Sequence, residues 1–558
     1  MASNSPDSRL LTSPPVDPAA RLAIDLRRFP WVRRLAADYA YDFARVAPFF
    51  SGNPVDRQAW TEAIARSQAH ERRRSDIAAI VAAQQRQRGA PPQAMEAGSR
   101  LADPRAVAIV TGQQAGLFGG PLFTLLKALT ALQLADRVAH DHGVPAVAVF
   151  WIDAEDHDWN EVRSCTVFDD TFGTRTLSLP TRRETDQTPV ALARLDGSLV
   201  PVLDELALAL PRTDFTAGLL AELREAYCPG IGVAEAFGRW LERVLGSRGL
   251  IVYDSSDPSA KQVVAKIFAR ELSTPGETGR LAATAGSDLI ERGYHSQVQA
   301  QEDGLALFRL DGARRPIRMR DGEFLVGDAR YSPDALRLEA TDKPTGFSPN
   351  VLLRPIVQDT LFPTVCYVAG PNELAYLGQL RGVYEHFGVP MPLMHPRASA
   401  TLLDSAALRF LSRYRVPLEA LQRQDEAPLN QLLESQIPPT VEQALASVAA
   451  TMDAEMVRLI KAVPALDPTL EGAAQSTLGR MQHDLRTLHG KMIQAAKRRD
   501  ETLRRQYMRT RAIAFPHGEA QERTIGFVSF LNQFGPALVD RLLQELPIDL
   551  GHHWIVAI

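Results

Sequence analysis

The sequence predicts an α/β protein: a parallel sheet begun by a β-α-β unit, a large insertion, and an antiparallel helical hairpin towards the C-terminal end. Three observations carry this. Val107–Ala135 reads as a strand, a polar glycine-rich loop and a long helix with no breaker before Gly143. Gly143–Ile152 is nearly all apolar, as expected of a parallel strand covered on both faces. Two heptad-like apolar series flank Pro464–Pro468.

At 558 residues the chain exceeds what one hydrophobic core organises, so several structural units are expected. Met1–Ala20 is Ser/Pro-rich and reads as a disordered leader. Residues 21–167 hold N-terminal helices and the first half of the core. Apolar residues recur at helical spacing through Trp31–Phe50, Phe49–Pro54 is a break, and Asp56–Gln87 is a second helical stretch. Residues 168–345 mix short strands (Arg175–Leu179, Leu305–Leu310) with helices (Ala217–Tyr227, Val233–Gly246). They form an inserted α+β region, with Leu250–Asp254 returning to the main sheet. Residues 346–416 resume the dense α/β style, with a strand at Phe362–Val368, and Gly388–Met394 leads into His395-Pro396-Arg397.

Residues 417–513 are helical. Val441, Leu445, Val448, Met452, Met456, Leu459 and Val463 alternate four and three apart; Leu478, Met481, Leu485, Leu488 and Met492 do so more loosely. Asp425–Lys461 holds six acidic and two basic residues, and Arg480–Arg511 ten basic and three acidic, so opposite charge favours packing the arms together. The seam carries Ala, Thr and Arg in places, and a second copy of the chain is expected to cover it. Residues 514–558 end the chain with a helix from Glu519 to about Phe534, a second at Leu538–Leu546, and an apolar tail, Trp554–Ile558, read as a docked strand.

Composition excludes several classes. The longest apolar run, Val144–Ile152, contains Pro145 and is too short to span a bilayer. No basic segment followed by an apolar one marks a secretory signal. Three scattered cysteines fit a reducing cytoplasm and neither a disulfide framework nor a cysteine-rich zinc site. A net charge of −4 gives no global case for nucleic acid, although the basic arm keeps a local one open. No Gly-x-x-x-x-Gly-Lys, Gly-x-Gly-x-x-Gly, Gly-x-Ser-x-Gly or His-Glu-x-x-His pattern occurs, which disfavours a P-loop enzyme, a dinucleotide dehydrogenase, an α/β-hydrolase and a metalloprotease.

Three polar segments at predicted strand ends are expected to converge on one cleft, where open α/β sheets bind ligands. The first is Thr111–Pro121, with Thr111, Gly112, Gln113, Gln114 and Gly119, whose backbone N–H groups suit an anion. The second is Asp153–Asp158, where Asp156 and His157 suit acid/base work. The carboxylates of Asp153, Glu155, Asp156 and Asp158 keep a Mg²⁺ reading open, and a plain helix N-terminus is the structural alternative. The third is Gly370–Glu373 with Asn372, together with Arg354, Gln358 and Asp359. Arg354 sits in an apolar run, where it either clamps an anion or salt-bridges Asp359. Lys127 reads as a helix-surface lysine.

These residues also resemble a known family. Thr111–Leu117 with Gly120–Leu122, Val149–Ile152 with Glu155–Asp158, and Phe347–Pro355 (including Asn350) with Gln358–Thr360 match the BshC family in order. So do Tyr367–Pro371 with Glu373 and Tyr376, Pro390–Pro396, and Pro516–Gly518 with Gln521–Arg523. The resemblance implies a Rossmann-like core interrupted by inserted connecting domains, similar to class I aminoacyl-tRNA synthetases, and a C-terminal coiled coil that makes a homodimer. It implies addition of L-cysteine to the amine of glucosaminyl-malate, the last step of bacillithiol biosynthesis, with an adenine nucleotide as a ligand. On that reading Thr111–Gly120 holds a phosphate or carboxylate, Arg354 the malate carboxylates and Asp359 the cysteine amine. The sequence departs from the synthetase pattern: it has no His-x-Gly-His and no Lys-Met-Ser-Lys-Ser, the nearest analogues being the glycine loop and His395–Ser399. The alternative is a coiled-coil scaffold or nucleic-acid binder working through its basic arm.

Overall fold

A computed structural model describes residues 22–182, 187–299, 303–435, 438–499 and 501–558. The expected leader lies outside them. The chain divides into two compact units, one of Arg21–Thr401 with Gln521–Val556, the other centred on Leu402–Ala520.

The first unit is organised by a parallel sheet that, among the described residues, has five strands: β1 Val107–Gln113, β2 Ala146–Ile152, β3 Ile251–Asp254, β4 Thr364–Ala369 and β5 Leu393–Pro396. Their order is β5-β4-β1-β2-β3. The chain steps outward from β1 to β2 to β3, then returns to the other side of β1 with β4. The direction therefore reverses between β1 and β4, and a crevice opens there at the carboxyl ends of the strands. The helix α1, Leu122–His142, joins β1 to β2 and stops at Gly143, which takes the left-handed conformation at φ 64°. β1 runs three residues past the expected Val110, because Thr111 stays in register and its hydroxyl donates to the Val368 carbonyl at 3.0 Å.

The inserted region is two insertions, since β3 divides it. The first holds the hairpin Ser164–Phe168/Thr174–Ser178 and three helices ending at Val233–Leu245. The second begins with α2, Pro258–Ser273, and ends in an antiparallel sheet in which Arg314–Arg320 lies beside Gly304–Leu310. Phe347–Pro349 closes that sheet, so the insertion extends into the stretch expected to belong to the core. Three other expectations are corrected. Asp56–Gln87 is two helices, Arg57–Ala69 and Arg74–Arg88, because His70–Arg73 leaves the helical conformation. Trp31–Phe50 is helical mainly at Arg34–Tyr41. The helix expected from Glu519 to Phe534 breaks at Gly526, whose N–H donates to the Thr166 carbonyl at 2.8 Å. The C-terminal strand, His552–Ala557, pairs antiparallel with Leu22–Asp25.

The second unit contains the hairpin of α4, Pro439–Ala462, and α5, Leu470–Arg499. Its arms are antiparallel: His489 meets Glu442 at 3.3 Å, and Gln482 donates to Asp453 at 3.1 Å. Leu445, Met452 and Met456 turn partly inward, whereas Val441, Val448 and Leu459 stay exposed. Glu501–Ala514 is also helical, and Arg509 pairs with Asp404 inside this unit. The helix Ser405–Tyr414, expected in the core, belongs to this unit.

Candidate active site

The crevice between β1 and β4 is floored by a buried lysine. Lys127 lies on α1, 2% exposed. It donates to the Gly112 carbonyl at 2.8 Å and to Gln113 Oε1 at 3.1 Å, and pairs with Glu373 at 2.8 Å. Burial pushes its pKa down. The helix-surface reading is thus corrected: α1 is covered nearly all round, and Lys127 ties the ends of β1 and β4 together. Glu373 is held in turn by the Gly370 N–H and stays partly open.

Arg354 starts α3, Arg354–Leu361. Its guanidinium reaches Tyr376 Oη at 3.0 Å, Gln358 Oε1 at 3.4 Å and Asp153 at 3.7 Å. Burial raises the Asp153 pKa, against the pull of Arg354. Arg354 does not bridge Asp359. That carboxylate is fully buried, bonded by the Tyr384 hydroxyl at 2.5 Å and by the Gln358 amide at 2.9 Å, and burial raises its pKa. Asp359 is a core residue and cannot take a substrate amine.

Asp156 and His157 follow β2. Asp156 accepts from Gln114 Nε2 at 2.5 Å, from Arg314 Nη1 at 3.1 Å and from the His157 N–H at 2.7 Å. Three donors make it an anchor and leave it little capacity as a base. His157 Nδ1 lies 3.3 Å from the same carboxylate, without hydrogen-bond alignment, and the imidazole is 40% exposed. The carboxylate thus lies beside the imidazole without a hydrogen bond to it. Arg314 also donates to the Pro349 carbonyl at 2.5 Å and stacks on Phe308 at 4.2 Å.

The remaining expected residues divide. Gln113, Gln114, Gly370, Glu373 and Tyr376 belong to this constellation. Thr111 and Gly112 lie inside the sheet; a Cβ on Gly112 would stand 2.9 Å from the Trp151 carbonyl. Gly119 is buried at φ 97°, and a Cβ there would come 2.3 Å from the Phe527 ring. The C-terminal segment closes on this loop, with Leu122 N–H donating to the Ile525 carbonyl at 2.8 Å. The spaces expected to cradle a phosphate are filled by protein, so an adenine nucleotide does not fit these glycines. Asn350 caps a turn, accepting from the Leu352 and Leu353 N–H groups. Asn372 is exposed and makes no capping bond. The four carboxylates after β2 diverge: Asp153 to Arg354, Glu155 to Lys261, Asp156 to Arg314, and Asp158 to the N-terminus of a short helix. Among the described residues no His, Cys, Asp and Glu group is arranged to hold a metal ion.

Arg314 and Lys261 escaped the sequence reading. Each meets its partner across more than a hundred residues, from inside the insertions, and no spacing signals that.

The comparisons with known proteins bear on this arrangement. A family model described as the N-terminal Rossmann-like domain of bacillithiol biosynthesis BshC matches residues 23–398, and one described as the C-terminal coiled-coil domain matches residues 400–558. A relative from Salinibacter ruber is 34% identical over 535 residues, covering 94% of this chain and 96% of its own length. Another, from Symbiobacterium thermophilum, is 34% identical over 546 residues, with 92% and 96% covered. Both are named as BshC, a cysteine ligase. A solved structure titled as an arginyl-tRNA synthetase from Campylobacter jejuni aligns with 78% of this chain and 92% of its own at 10% identity and a TM-score of 0.23, too low to carry an argument. Two family matches that together span nearly the whole chain, and relatives matched over 96% of their own length, place it: the chain belongs to the BshC family of bacillithiol biosynthesis.

Proposed function

We propose that the chain is a ligase that joins the carboxyl of L-cysteine to the amine of glucosaminyl-malate, the last step of bacillithiol biosynthesis. The observation that carries this reading is the imidazole of His157, open to solvent and set against an anchored carboxylate, in a crevice that also presents Arg354. Amide formation needs an acceptor amine stripped of its proton, and His157 can take it while Asp156 steadies the imidazole. Arg354, planar and pre-set by Tyr376 and Asp153, suits a malate carboxylate. Gln113, Gln114 and Glu373 line the same crevice with polar groups. The cysteinyl carboxyl must arrive activated, and an adenine nucleotide is the activator we propose, bound away from the packed glycine loop.

The test is product formation from L-cysteine and glucosaminyl-malate, with and without ATP, read by mass. His157→Ala should lower kcat by about 10²–10⁴-fold. A protein that forms no cysteinyl product under either condition overturns the function, and undiminished turnover by the variant overturns the acid/base role.

We also propose that the protein is a cytoplasmic homodimer. Its described cysteines are free, and among the described residues no helix is long and apolar enough to cross a membrane. Val448 on α4 and Leu488 on α5 are 54% and 49% exposed, apolar surface that a second hairpin would cover. Sedimentation that shows only monomer at micromolar concentration would refute the dimer.

A further inference from the structure

A cavity of about 210 Å³ opens at Glu155, and none of the roles above uses it. Pro189, Ala191, Leu192 and Leu310 give it apolar walls, and two charges line it, Glu155 and Lys261 of α2. Both side chains are more than nine-tenths buried. The Lys261 ammonium bonds to the Glu155 carboxylate and, at 3.0 Å, to the Phe347 carbonyl. An ammonium has three donors, so one is left without an acceptor among the described residues. Glu155 receives one further bond, from the Ser348 hydroxyl at 3.3 Å, and keeps acceptor capacity.

A buried ion pair on apolar walls rarely repays its desolvation through stability alone. Facing a cavity, the same pair offers complementary charge: an ammonium for a carboxylate and a carboxylate for an ammonium. We infer that this cavity binds a small amino acid as its zwitterion, with the α-carboxylate on Lys261, the α-ammonium on Glu155 and the side chain against the apolar walls. The inference rests on the ligase reading for the identity of that amino acid, which is L-cysteine. The cavity has room for an amino acid as small as cysteine.

The arrangement has a chemical consequence. An ammonium paired with Glu155 keeps its proton and is no nucleophile. Cysteine whose amine is held as the ammonium cannot compete as the nucleophile for an activated cysteinyl group, so that acyl group is left for the amine of the other substrate. Glu155 is followed directly by Asp156 and His157, so one loop carries both the donor cavity and the group that prepares the acceptor.

The experiment uses the full-length protein and measures binding of L-cysteine, cysteamine (no carboxylate) and 3-mercaptopropionate (no ammonium) by calorimetry under reducing conditions. It also measures KM for cysteine in Ala191→Leu and Lys261→Met. Each truncated analogue should bind about 30-fold more weakly than cysteine, the loss of one charged contact. Ala191→Leu narrows the cavity without changing charge, and should raise KM for cysteine at least about tenfold while KM for glucosaminyl-malate stays within about twofold. Lys261→Met should abolish cysteine binding; if that variant does not fold, Ala191→Leu decides. Cysteamine binding as tightly as cysteine, or an unchanged KM in Ala191→Leu, overturns the inference and leaves the ligase reading standing. Cysteine binding that Ala191→Leu weakens, in a protein that makes no cysteinyl product, supports the cavity and overturns the ligase reading.

Discussion

Lys127 and Glu373 should behave as one unit, and a double-mutant cycle measures it. Lys127→Met keeps the aliphatic stem and removes the ammonium. The Gly112 carbonyl, 2.8 Å away, then loses the ammonium that donates to it, and the Glu373 carboxylate loses its cation inside the crevice floor. Breaking a buried ion pair by removing one partner costs about 3–5 kcal/mol. Glu373 keeps about a quarter of its side-chain surface in solvent and regains some hydration, so the low end applies, about 3 kcal/mol. Glu373→Gln leaves the ammonium uncompensated but still bonded to Gly112 and Gln113, and should cost less, about 2 kcal/mol. The double variant removes both charges, and its cost should fall short of the sum by about 2 kcal/mol. Urea unfolding followed by tryptophan emission is the assay. Trp31, Trp60, Trp151, Trp159, Trp240 and Trp554 all lie in the core unit, so the signal reports that unit alone. Single costs below about 1 kcal/mol, or additivity within about 0.5 kcal/mol, would refute the claim that this pair holds β1 and β4 together.

Three further outcomes are expected. Gly119→Ala should cost about 3 kcal/mol or more, because its Cβ meets the Phe527 ring at 2.3 Å and φ is 97°; a loss under about 1 kcal/mol by the same assay would show that the loop is not packed in this way. Burial pushes the pKa of His553, bonded to Ser399 and Thr401, down from 6.5 to about 4. The unfolded chain therefore binds more protons between those values, and stability falls as pH drops through 6.5 to 4, by about 3 kcal/mol from this residue. His553→Gln should flatten that slope in urea titrations from pH 7 to 4, and an unchanged slope counts against a buried neutral imidazole. Arg314→Met should lower kcat/KM for ligation about tenfold or more by releasing Asp156, whereas Arg315→Met, whose side chain is half exposed and pairs with Asp311, should not; equal rates for the two variants would remove Arg314 from the site.

The sheet was legible in the sequence because parallel strands buried on both faces leave unbroken apolar runs, as at Gly143–Ile152, and because glycine stops a long helix at Gly143. The crevice was legible because polar loops at the ends of such strands have one place to meet. Side-chain direction was not. Asp359 stands in the right segment but faces the Tyr384 hydroxyl in the core, since the helical turn after Arg354 alternates between crevice and interior. Lys127 carries the residue type of a surface position, and it is buried because its ammonium points to the ends of β1 and β4, where Gly112, Gln113 and Glu373 meet it. The glycines were misread for a related reason. A glycine that admits a ligand and one that admits a phenylalanine ring look alike until the ring, here Phe527, is in place.

Three carboxylates within four residues, Asp153, Glu155 and Asp156, would repel one another at the end of β2 if each had only water to face. Each is met instead by a cation from a different segment: Arg354 from α3, Lys261 from α2 and Arg314 from the inserted antiparallel sheet. The loop is therefore complete only when the second insertion, which carries both Lys261 and Arg314, has docked, and the charge that makes it costly before docking is what selects the docked arrangement. This ties folding to chemistry. Until Arg314 arrives, Asp156 lacks its strongest donor, and the imidazole beside it has no fixed carboxylate to lean on. The second insertion is in this sense part of the active crevice, supplying two of the three counter-charges that allow a row of acids to stand in it.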